Sequence, residues 1–169
     1  HTRCLSDWSS DVCSSDLVND APVLTAGTVA NLTVNEDSGT TSLGLGTVAY
    51  GPGGGTDEAA QTLTYKVTAI PAASLGTVYL ADGVTAVVAN TNYTLAQIQG
   101  MKFTAAANAN GSGTFTYTVQ DSGGTANGGV DTLTQSIAIT VNAVNDAPVL
   151  TAGTVANLTV NEDSGTTSL

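Results

Sequence analysis

The stretch VNDAPVLTAGTVANLTVNEDSGTTSL stands at Val18–Leu43 and again, without one change, at Val144–Leu169. No other feature constrains the fold so tightly. The offset is 126 residues, 144 minus 18. Solenoid repeats run to roughly 20–50 residues, whereas independent domains run to about 100–150. The duplication therefore predicts a tandem array of whole domains, with one full repeat over Val18–Ala143 and the truncated start of the next over 144–169. The second copy is shorter than the roughly 40 residues below which a segment needs outside help to hold a core. It is expected to hang free or to lay a strand on the unit before it.

Residues 1–17 stand apart. Asp7–Leu17 read DWSSDVCSSDL, which resembles the translation of a common short-read sequencing adapter. The leader is therefore set aside as a sequencing or assembly artefact. It holds His1, Cys4, Trp8 and Cys13, so the repeat itself has no His, Cys or Trp. A disulfide framework and a Cys/His zinc site are thereby excluded from the repeat. A nucleophile and its base would have to come from Ser or Thr with Lys, and Lys66 and Lys102 are isolated on Thr-rich strands. Asp57 and Glu58 are adjacent acids in a Gly-rich loop, a poor pair for glycoside hydrolysis. No enzymatic activity is expected.

The chain carries 3 basic and 14 acidic residues, a formal charge of −11. Such a chain is repelled by nucleic acid and by anionic membranes, and it attracts cations. No apolar run approaches the ~18 residues of a membrane-spanning helix, so no membrane insertion by this segment is expected.

Period-two alternation dominates the repeat. Leu63, Tyr65 and Val67 alternate with threonines and Lys66; Phe115, Tyr117 and Val119 with threonines; Ile137, Ile139 and Val141 with Ala138 and Thr140. Each pattern is that of a half-buried strand, with the aromatics in the core. Further strands are expected over Val29–Val34, Ser42–Ala49 and Met101–Thr104. A hairpin should turn at Asp82-Gly83 into Val84–Val88, since Asp-Gly between such runs suits a tight turn. Only Leu95–Ile98 looks helical, and for one turn at most. Gly51–Gly55 and Gly123–Gly129 read as flexible loops. About seven short strands with turn signals between them predict an all-β, antiparallel β-sandwich.

The residues Phe115–Val119, Asp121, Ile137–Val141 and the Val144-Asn-Asp-Ala-Pro148 linker, with Asn35-Glu36-Asp37 after the first strand, resemble a bacterial cadherin-like repeat. That resemblance covers Val18–Ala143. It implies a Greek-key, Ig-like sandwich, one module in the stalk of a giant secreted or surface adhesin. It also implies Ca2+ at the junctions between neighbouring repeats. Glu36 takes the place of the acid near the first strand, and Asp57-Glu58 that of the family's paired aspartates. Asp121 matches the Asp-x-Gly turn before the last strand. Asn142, Asn145, Asp146 and Pro148 match the linker. The family's middle Asp-Arg-Glu motif is absent.

The residues support the same ion by their chemistry. Ca2+ takes 6–8 oxygen ligands, every candidate here is an oxygen donor, and most acids lie in turns and linkers. Asn19, Asp20, Asp57, Glu58 and Asp121 are expected at one end of the sandwich. Glu36, Asn142, Asn145 and Asp146 are expected at the other, facing the next repeat. Asn19–Pro22 and Asn145–Pro148 would be the linkers. An ion shared there would stiffen the row. Partners would be the neighbouring repeats, with any host or bacterial surface ligand held by other domains, and the setting would be extracellular. Three alternatives stay open: acids that only solvate loops and form turns, a passive metal-free spacer, and a glycan- or ligand-binding module.

Overall fold

The computed structural model describes residues 18–155, 157–163 and 165–166; the leader 1–17 lies outside them. The fold is all-β. Its strands are β1 (Val23–Ala26), β2 (Leu32–Asn35), β3 (Thr40–Ser42), β4 (Ala49–Gly51), β5 (Thr64–Ala69), β6 (Gly76–Tyr79), β7 (Thr91–Tyr93), β8 (Lys102–Ala105), β9 (Gly111–Gln120) and β10 (Thr132–Asn142). Among the described residues an α-helix, α1 (Leu95–Gly100), precedes β8, and a 3-10 turn over Ala126–Gly128 precedes β10. A five-stranded sheet runs β2-β10-β9-β5-β7, a three-stranded sheet β3-β8-β6, and β1 pairs with β4.

The alternating runs became the centre of the large sheet. β9 and β10 pair antiparallel from Thr132↔Gln120 to Val141↔Gly111. β5 joins the other edge of β9, with a bulge between Val67 and Ala69. Phe115, Tyr117 and Val119 turn inward with Ile137, Ile139 and Val141. Val78, Ile98, Met101 and Phe103 belong to the same core, as do Leu43, Leu45 and Val48. Burying such a side chain stabilises the fold by about 1.5–3 kcal/mol, so these positions carry most of the favourable term. Tyr50 reaches in from β4, its hydroxyl 2.6 Å from that of Tyr117.

Several expectations fail for identifiable reasons. Ser42–Ala49 is not a strand: β3 ends at Ser42, and Val48 N–H closes a turn on Leu45 C=O. Its alternating Leu43, Leu45 and Val48 are buried on a crossing between two sheets. The Asp82-Gly83 turn forms as expected, with Gly83 N–H on Leu80 C=O, Leu80 N–H on Thr85 C=O and Val87 N–H on Val78 C=O, but Val84–Val88 extends into no strand beyond the bridge Tyr79↔Ala86. Asp82 Oδ1 accepts from the backbone N–H of both Val84 and Thr85 (2.9 Å each), taking donors that a ladder would need. β2 pairs with β10 in parallel, from Ile139↔Leu32 to Asn142↔Asn35, where antiparallel pairing was expected. α1 exceeds one turn. Its capping box is complete, with Gln97 N–H on Thr94 Oγ1 and Thr94 N–H on Gln97 Oε1. The short strands β1, β3, β4 and β7 carry no alternation long enough to predict them.

The duplicated segment behaves differently in its two places. In the first it supplies β1, β2 and β3. In the second, the described residues beyond Ala143 form no strand and are exposed.

Candidate metal centre

β10 separates two groups of oxygen-bearing residues. Its first residue, Thr132, lies beside the segment that receives Asn19; its last, Asn142, lies beside Glu36. At about 3.3 Å per residue the two groups stand more than 30 Å apart. The expected division into two ends is therefore present in the fold.

The upstream group is a buried network centred on Asn19. Asn19 Nδ2 donates to Asp121 Oδ1 (3.0 Å) and to Val130 C=O (2.7 Å). Its Oδ1 accepts from Gln61 Nε2 (2.7 Å), and its backbone C=O accepts from Val130 N–H (2.8 Å). Asp121 Oδ1 also accepts from Gly123 N–H (2.9 Å). Glu58 Oε1 accepts from Asp20 N–H (2.8 Å), and Glu58 C=O accepts from Gln61 N–H. Two glycines make this packing possible. A Cβ on Gly123 would overlap Asn19 Oδ1, and one on Gly54 would overlap the Glu58 carboxylate. The Gly-rich loops expected to be flexible thus lie against the network.

Three oxygens of the group are left over. Glu58 is 4% exposed and Asp121 6% exposed, yet Glu58 Oε2 and Asp121 Oδ2 have no hydrogen-bond partner, and neither has Gln61 Oε1. An unsatisfied buried polar group costs about 1–3 kcal/mol, and a charged one more. All three surplus atoms are acceptors. A cation supplies what acceptors lack, and these hard oxygens are the donor type that Ca2+ takes. They are too few for its full shell of six to eight, so water, backbone carbonyls or the exposed Asp20 carboxylate would have to complete it.

The other upstream candidate, Asp57, stays exposed and is not in the network. Gln61 is in it although no motif in the sequence marks it, because its part depends on the fold laying it beside Asn19. Its one signal is its place three residues after Glu58 in a turn.

The downstream group is looser. Glu36 is buried; its Oε1 accepts from Val144 N–H (2.6 Å), and its backbone N–H donates to Asn142 C=O (3.1 Å). Asn142 Nδ2 reaches Asn35 Oδ1 at 3.5 Å. Asn145 and Asp146 are exposed, joined only by Asn145 Nδ2 to Asp146 C=O (3.1 Å). Among the described residues, no three of the His, Cys, Asp and Glu side chains stand together as a metal cage. The nine expected ligands thus divide into a connected buried set (Asn19, Glu58, Asp121), one buried acid at the far end (Glu36), and exposed residues (Asp20, Asp57, Asn142, Asn145, Asp146). Among the described residues, no helix is long and apolar enough to cross a membrane.

A scan against protein-family models gives no match for this chain, and a search of curated proteins gives no significant one.

Proposed function

We propose that this chain is a structural stalk repeat of a large exported bacterial adhesin or surface protein, an Ig-like Greek-key sandwich whose junctions hold Ca2+. The observation that carries the reading is where the two copies of the linker sit. Asn19 is seated at one end of β10, and Val144 leaves at the other, held by Glu36. The chain therefore passes through the unit lengthwise, as a bead on a string requires.

The junction also has no slack. Val144 is bonded to the unit before it, while Asn145, the counterpart of Asn19, would seat in the unit after it. Two adjacent residues anchored in different units restrict the angle between them. Glu36 of one unit and Glu58, Asp121 and Gln61 of the next would then face a common gap. The surplus acceptors Glu58 Oε2 and Asp121 Oδ2 favour a cation there. When bound, that ion would supply positive charge to both carboxylates and tie the two units together.

A metal-free spacer is the second reading, favoured by the direct Glu36–Val144 bond, which needs no ion. Melting a chain of two complete repeats separates them. Extracellular calcium modules bind at about 10⁻⁴–10⁻³ M. At calcium tenfold above such a Kd, stability should rise by about 1.4 kcal/mol, which is roughly 5 °C for a domain of this size. An identical melt in calcium and in chelator leaves the metal-free spacer.

A further inference from the structure

We propose that the pairing of β2 with β10 is a tension clamp, the element that keeps a unit folded when the chain is pulled from both sides. Its purpose rests on the stalk reading, since a stalk passes tension through its units. Its strength is a property of the fold itself.

Strand direction carries the argument. The chain enters at Asn19, beside Val130 and the start of β10, and leaves at Val144, beyond the end of β10. β2 runs parallel to β10, from Ile139↔Leu32 to Asn142↔Asn35. Tension therefore draws β2 by its first residue toward the upstream end, and β10 by its last residue toward the downstream end. The strands are driven to slide past each other, and the evenly spaced bonds between them are strained together. Had β2 run antiparallel to β10, the same pull would grip both strands at one end and part their bonds one after another. β1 precedes β2 on the same path, but it pairs in a separate sheet, with β4.

Side chains lengthen the pairing at both ends. Asn31, just before β2, accepts through Oδ1 from Ala138 N–H (3.0 Å). Glu36, just after β2, donates its N–H to Asn142 C=O (3.1 Å) and accepts through Oε1 from Val144 N–H (2.6 Å). Ala138 and Val144 are an even number of residues apart, so their N–H groups face β2 from the same side of the strand. The carboxylate bond is the stronger kind, and it holds the residue at which tension leaves the unit. Val34 and Glu36 are buried, which keeps water from the inner side of the pair.

Forced unfolding reads the barrier to unfolding rather than the equilibrium stability, so the direction of pull isolates the clamp. The full chain with Cys4→Ser and Cys13→Ser is held in chelator in optical tweezers, by DNA handles on two introduced thiols. Val18→Cys with Asn145→Cys shears β2 against β10. Asp37→Cys with Asn145→Cys peels them apart from their shared downstream end. We expect an unfolding force at least about twofold higher in the first geometry. In that geometry Glu36→Ala should unfold at least about tenfold faster at constant force, as loss of one charge-assisted bond implies. Glu36→Gln keeps an acceptor and should recover most of the difference. Val78→Ala opens a cavity under β6, away from the pair; it should lower the melting temperature and leave the unfolding force unchanged. Equal forces in the two directions overturn the clamp. So does an unchanged rate for Glu36→Ala, or a force lowered as much by Val78→Ala as by Glu36→Ala. Those results leave the stalk reading standing, whereas a clamp that holds in a protein without a row of repeats sinks the stalk reading alone.

Discussion

Asn19 and Asn145 are the same residue in the same 26-residue context, yet the structure gives them unequal work. Asn19→Ala removes three side-chain hydrogen bonds: to the Asp121 carboxylate, to Val130 C=O and from Gln61. A bond to a charged partner contributes about 2 kcal/mol and each of the others about 1. Asp121 Oδ1 keeps Gly123 N–H, which offsets part of the loss. About 3 kcal/mol of destabilisation remains. At roughly 4 °C per kcal/mol for a unit of this size, the melting temperature should fall by about 12 °C. Asn145→Ala removes a single exposed contact to Asp146 C=O and should leave the melt within about 2 °C. Calorimetry of both variants in chelator isolates the protein's own bonds from any ion. Equal shifts for the two would refute the reasoning, and so would a loss below about 1 kcal/mol for Asn19→Ala.

Gly123→Ala should destabilise by about 2 kcal/mol through overpacking against Asn19; in an Asn19→Ala background the two losses should fall short of additive, as a double-mutant cycle by denaturant melts would show. Burial, reinforced by its bond to the Tyr50 hydroxyl, raises the pKa of Tyr117. The raised value means that Tyr117 stabilises the fold fully below about pH 10, the unfolded phenol's range, and that this contribution is lost as pH rises further. Tyr117→Phe should therefore flatten the alkaline limb of the stability curve while costing about 1 kcal/mol at neutral pH. Hydrogen bonds from Thr85 and from the Val84 and Thr85 backbones lower the pKa of Asp82. Its stabilising contribution is present above the unfolded value and lost as pH falls through the lower folded one, and carboxyl NMR should place its midpoint below 3.8. A midpoint at or above that value would contradict the turn geometry.

Elements that local physics encodes are legible in the chain's own letters. Period-two alternation placed β5, β9 and β10, because a strand buried on one face shows its burial in its own letters. The helical run Leu95–Ile98 is legible too, but α1 runs on to Gly100 because Thr94 and Gln97 cap it. At the candidate site, Asn19, Glu58, Asp121 and Glu36 stand out through the cadherin-like resemblance and their oxygen-donor chemistry, and all four are buried. Gln61 and Val130 do not stand out, because their parts depend on what the fold lays beside Asn19. Asp57 was named and stays in solvent, since it is Glu58, one residue on, that turns inward.

The duplicated stretch separates the two kinds of information within one molecule. By itself the sequence determined the 126-residue period, the acidic balance, the absence of His and Cys from the repeat, and the strands whose alternation is long enough to be self-evident. It could not decide whether LTVN is a strand, because the same four residues are β2 at Leu32–Asn35 and outside any strand at 158–161. A three- or four-residue edge strand draws its hydrogen bonds from its neighbour. β10 is the neighbour that the first copy has, and the described residues of the second copy pair with no strand. The tertiary structure alone decided that difference, along with the parallel sense of the pair and the seat of Asn19.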